Sequence, residues 1–133
     1  MRTQSSEIGR VHIVRLDPDE DVSKALNEAV QELDIKNGMI LNGVGSLNRY
    51  RVHVVGTPTL PTEDVFFDGE GPFDILSLGG LIIDGKVHAH MTLANPDKAI
   101  GGHVEDGCRV LTFVLVMIAE TPGMNVTGWD TVG

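Results

Sequence analysis

The stretch Phe73-Asp74-Ile75-Leu76-Ser77-Leu78-Gly79-Gly80-Leu81-Ile82-Ile83-Asp84-Gly85-Lys86-Val87-His88-Ala89-His90-Met91-Thr92-Leu93 decides how this chain folds. Asp84 and Gly85 both tolerate positive φ, and an Asp-Gly pair between two β-prone runs predicts a tight hairpin. In its second strand, side chains two apart share a face. Val87, Ala89, Met91 and Leu93 therefore make an apolar face, and Lys86, His88, His90 and Thr92 point the other way. The first strand is apolar on both faces, with Leu76, Leu78 and Ile82 set against Phe73, Ile75, Leu81 and Ile83.

Working outward, the same period reads as strands over Val11–Leu16, Met39–Leu41, Arg51–Val55, Val65–Phe67 and Arg109–Ala119, separated by Gly, Pro, Asn and Asp. The last of these is again apolar on both faces. One segment changes period: Val22, Leu26, Ala29, Val30 and Leu33 recur at helical spacing after the acidic turn Asp17–Asp21, whose side chains suit a helix start. Asn37-Gly38 is read as its stop. The expected class is α+β, a largely antiparallel (mixed) β-sheet packed with one main α-helix. A single helix covers only part of one sheet face, so the remaining apolar area needs either sheet curling or a partner subunit, and oligomerisation is the simplest account.

The whole-chain numbers narrow the partners. A length of 133 residues fits one domain. Ten Lys and Arg against 19 Asp and Glu give a net charge of −9, which repels the phosphate backbone of DNA. Nucleic acid is therefore not an expected partner, and the basic residues form no stripe. The single Cys108 can form no intramolecular disulfide and is read as a small core hydrophobe. The polar start at Met1–Arg10 has no signal-peptide core, and the longest apolar run, Val110–Ala119, is too short for a membrane span. A cytoplasmic location with no membrane partner is the expectation. The division expected is a flexible N-terminus over 1–6, a domain over 7–120 and a tail over 121–133, an arm whose Trp129 could dock on a neighbour.

Candidate chemistry concentrates in His88, His90 and His103. Two imidazoles on one polar strand face can reach a single ion, and His103, returning after the loop Ala94–Gly102, can complete a three-nitrogen site with one position open for water or substrate. Gly101-Gly102 lets the backbone approach closely just before it. A hydrogen-bonded polar histidine cluster that holds no ion is the competing reading of the same spacing. His12 and His53 are read as structural. Glu70, Asp74, Glu105 and Asp106 could supply an acid or base nearby. Gly43-Val44-Gly45 follows a strand, but no helix follows it, so it is a bulge or a close strand approach and not a phosphate loop.

The ordered motifs Gly43-Val44-Gly45-Ser46-Leu47, Phe73–Gly80, His88-Ala89-His90-Met91-Thr92-Leu93 and Gly101-Gly102-His103-Val104, closed by an apolar strand, resemble the plants-and-prokaryotes-conserved (PPC) domain in its prokaryotic, histidine-containing form. The resemblance covers about residues 7–120. It implies a β-rich fold with one main helix, a homotrimer, and a divalent metal, zinc-type, held by His88, His90 and His103 near a subunit boundary, where a small-molecule ligand could bind. Plant relatives couple this domain to a basic AT-hook; the present chain has no such segment, which removes the physical basis for a DNA-binding role. A DNA-associated regulatory or assembly module is nonetheless one alternative the family brings. A metal-dependent lyase is another, because acetolactate decarboxylase looks like a fold relative with similarly spaced histidines.

Overall fold

The computed structural model describes residues 1–132. It contains β1 (Val11–Leu16), α1 (Val22–Glu32), β2 (Asn37–Val55), β3 (Asp64–Ile83), β4 (Lys86–Ala94), β5 (Ala99–Val104) and β6 (Arg109–Glu120). The sheet runs β1-β6-β2-β3-β4-β5, and β5 also pairs with the end of β2, so part of the sheet closes on itself. Every ladder between named strands is antiparallel.

The helix begins where the acidic turn placed it. Asp21 keeps extended backbone and accepts the Lys24 backbone N–H at 3.1 Å, while its other oxygen accepts from Gly107 at 2.7 Å. The end differs from expectation. The chain leaves the helix at Leu33 and turns through Asp34 at φ 53°, whereas Asn37-Gly38 already belongs to β2. Aspartate tolerates this left-handed backbone almost as well as asparagine, so the stop comes a turn early. Val22, Leu26 and Val30 are buried, and the helix lies against β1, β4 and β6.

Asp84 and Gly85 both have positive φ, 51° and 74°, and form the predicted two-residue hairpin. On β4, Ala89, Met91 and Leu93 are buried and His90 is exposed, as the alternation required. Met39–Leu41 and Arg51–Val55 join into one long strand through the glycine segment. A Cβ on Gly43 would fall 2.7 Å from the Leu78 side chain, and Gly45 sits beside a register shift against β6. Val65–Phe67 and Phe73–Ile83 likewise fuse into β3. The largest departure is β5, read as a return loop because Gly101-Gly102 carries no β preference. Here the two glycines serve a strand squeezed between neighbours: a Cβ on Gly102 would lie 2.5 Å from the His53 carbonyl oxygen.

The terminal segments are tied to one another. Gln4 exchanges two hydrogen bonds with the Asn125 backbone, Ser6 Oγ accepts from Gly123 N–H, and Arg2 stacks over Trp129 at 5.4 Å. Asn37 Oδ1 accepts from Val126 N–H at 3.2 Å, which pins the tail to the start of β2. Among the described residues, no helix is long and apolar enough to cross a membrane.

Candidate metal centre

The register of the closed part of the sheet assembles the site. His53 on β2 faces His103 on β5, and His103 faces His90 on β4, so three imidazoles stand in one row across three strands. His88, two residues before His90, falls on the same face. Directly opposed side chains in such a ladder stand close enough to touch. Ring centroids are 5.6 Å apart for His88 and His90, 4.8 Å for His88 and His103, and 5.7 Å for His90 and His103, at interplanar angles of 60–75°. The sequence-predicted trio is thus brought together, on the face turned away from the core.

Three imidazoles bound tetrahedrally to one zinc at Zn–N of about 2.0 Å have ring centroids about 5 Å apart. The observed centroid spacings are near that figure, whereas the group whose ligating atoms all lie within 4.8 Å of one another is His53, His103 and Glu105. Carboxylates orient two of the rings. Glu105 Oε1 accepts from Nδ1 of His103 at 3.1 Å, and Asp130 Oδ2 accepts from Nδ1 of His88 at 3.0 Å. A carboxylate can only accept, so each ring carries its proton on Nδ1 and leaves the Nε2 lone pair free. Among the described residues, no side chain hydrogen-bonds Nε2 of His88 or His103, or either nitrogen of His90.

Burial, with added repulsion from His88 and His53, lowers the pKa of His90. His103 is lowered first by burial and then by His53, against an opposing pull from Glu105. Both rings favour the neutral form that binds metals. The hydrogen bond from His88 holds the Asp130 carboxyl below its usual range.

Two residues outside the predicted trio complete the picture. His53, read as structural, stacks on His103 at 4.5 Å with only 29° between the planes, and its Nδ1 donates to the same Glu105 oxygen. His53, His103 and Glu105 offer ligating atoms that all lie within 4.8 Å of one another, the one such group among the described residues, and it shares only His103 with the predicted trio. No sequence spacing links His53 to His103; only the β2–β5 pairing does. His12 keeps a structural role, bonded to Glu120 at 3.0 Å, and Cys108 is buried with its thiol pushed up to about 11. A cleft of about 790 Å³ opens beside the histidines, with Leu41, Leu81, Ser77 and Thr92 on the sheet side and Trp129 and Asp130 on the tail side.

A family model described as the Plants and Prokaryotes Conserved (PCC) domain matches residues 3–122. A curated relative, the "Bifunctional protein GlmU" of Synechococcus sp. (strain JA-3-3Ab), is 27% identical over 84% of this chain, which spans 17% of that protein's length. Among solved structures, a protein from Archaeoglobus fulgidus described as metal-containing superposes with a TM-score of 0.82 at 24% identity, covering 94% of this chain and 89% of that one. A PPC protein from Pyrococcus horikoshii gives 0.79 at 23%, covering 98% and 92%. More distant fold neighbours include a "putative DNA binding protein" from Bacteroides thetaiotaomicron (TM-score 0.70, 23% identity, covering 90% and 86%) and alpha-acetolactate decarboxylase from Bacillus subtilis (0.60, 15%, covering 86% and 53%). The Bacteroides description does not fit the expectation, drawn from net charge, that nucleic acid is no partner.

Proposed function

Because the chain belongs to the plants-and-prokaryotes-conserved domain family, we propose that it is a cytoplasmic homotrimer whose outer sheet face carries a divalent-metal site, zinc-type, near a subunit boundary. His88, His90 and His103 are the proposed ligands through Nε2, and the adjoining cleft takes a small molecule. The observation that carries this reading is the set of ring spacings, 4.8–5.7 Å at steep angles, with Nδ1 of two rings already engaged by carboxylates. His53, His103 and Glu105, whose ligating atoms lie within 4.8 Å of one another, are the competing ligand set.

A bound zinc would act as a Lewis acid toward a carbonyl or a developing enolate. The chain's own contribution is to orient: Glu105 and Asp130 hold the imidazole protons away from the metal position, and Leu41 and Leu81 give the cleft an apolar side. Fold kinship with a decarboxylase carries no activity by itself.

Elemental analysis of protein purified without a nickel column tests the reading. About one metal per chain is expected, and His88→Ala with His90→Ala should remove it. Metal far below one equivalent, unchanged in that double variant, overturns the site. Metal retained in His90→Ala but lost in His53→Ala and Glu105→Gln moves the ligand set to His53, His103 and Glu105.

The Bacteroides neighbour supports a second reading, a DNA-associated assembly module. Its signature is a band shift that weakens steeply as salt rises, because phosphate contacts release counterions. No shift at low salt removes it.

A further inference from the structure

The tail beyond β6 carries chemistry that neither the ligand trio nor the family match assigns. Val126 N–H is held by Asn37, Trp129 N–H bonds to the Val126 carbonyl, and Thr131 caps the next turn on Gly128. This places Trp129 against the cleft and Asp130 on His88, which lies 42 residues away in the sequence. Asp130 is the only partner of the His88 ring among the described hydrogen bonds. Without it, His88 can rotate and present either nitrogen.

We propose that residues 127–130 are a built part of the histidine site: Asp130 is the positioning residue that fixes the His88 tautomer and ring, and Trp129 is the apolar wall that a bound small molecule meets. The proposal rests on the metal reading above and deepens it. Outer carboxylates that orient a ligating histidine typically change metal affinity by about 10- to 100-fold. Coupling between two binding events is reciprocal, so a metal that selects the pinned His88 also holds the tail down. The cleft then suits a ligand with an oxygen donor at its metal end and a flat apolar body lying against the indole.

Trp129 is the sole tryptophan of the chain, so its emission reports the tail directly. Full-length protein stripped of metal is titrated with zinc against a chromophoric chelator while emission is followed. The expected result is a shift of Trp129 emission that tracks zinc occupancy. Asp130→Ala should bind zinc at least about tenfold more weakly and lose the shift, and Asp130→Glu should recover part of both. Equal zinc affinity in wild type and Asp130→Ala, with emission indifferent to zinc, overturns the tail proposal and leaves the metal reading standing. A wild-type protein that binds no zinc overturns both. Thermal unfolding of each variant separates a folding defect from lost positioning, and Asp130→Asn, which keeps an acceptor without the charge, should fall between wild type and Ala.

Discussion

His90 and His103 lose their proton more readily in the folded chain than free histidine does, because burial and neighbouring imidazoles penalise the cation. The folded pKa therefore lies below the unfolded value, and the unfolded chain takes up protons first as pH falls. Metal-free protein should be equally stable above about pH 7 and lose stability as pH drops through the unfolded value near 6.5 toward the lower folded values. Thermal midpoints measured at pH 7.5, 6.5 and 5.5 check this. His90→Ala should flatten part of the slope, and a midpoint that rises on acidification would refute the assignment. At this scale the sequence was informative about chemistry but not about company. Alternation on β4 put His88 and His90 on the polar face, and Glu105 stands only two residues from His103, whereas the proximity of His53 to His103 depends on pairing between distant strands. Asp130 was invisible for the same reason: a tail without periodicity carries no signal of where it folds back.

Among the elements, α1, the β3–β4 hairpin and β6 could be read from periodicity, capping and turn chemistry because each of those signals is local. Strand β5 could not, because its glycines remove the side chains from which a strand is recognised. Their purpose lies in the neighbours: β5 passes so close to β2 and β4 that carbonyl oxygens occupy the space of a Cβ at both Gly101 and Gly102. Gly102→Val should then cost roughly 1–3 kcal/mol, as overpacking does, and should weaken metal binding by spreading His53, His103 and His90 apart. Gly79→Ala is the control. Gly79 faces His90 across β3 and β4, but its added Cβ would come no nearer than 3.9 Å to the Ile40 carbonyl oxygen, so it should be tolerated. Urea midpoints of the two variants decide the matter, and an unaffected Gly102→Val would show that β5 has slack.

For the molecule as a whole, the sequence foresaw that one helix would leave apolar sheet uncovered. Ile13, Val44, Leu81, Leu111, Phe113 and Met117 are all exposed on the chain taken alone. The proposed trimer gives this surface a place. Sedimentation equilibrium should return three times the 14.3 kDa chain mass, and Phe113→Asp with Met117→Asp should shift the population to monomer. A wild-type monomer at micromolar concentration would remove the threefold assembly and the subunit boundary with it. Three of the ten Lys and Arg side chains are ion-paired: Arg10 with Glu120, Arg15 with Asp17 and Arg51 with Asp68.

The closed part of the sheet also sets an order of events. β5 can dock on β2 only after β3 and β4 have carried the chain out and back, and contacts between such distant segments form late because their loop entropy must be spent first. His53, His103 and His90 share no row until that moment. An ion arriving there would act as a seal on a finished molecule, not as a seed for it, and starving cells of metal should leave a chain that folds on its own and waits.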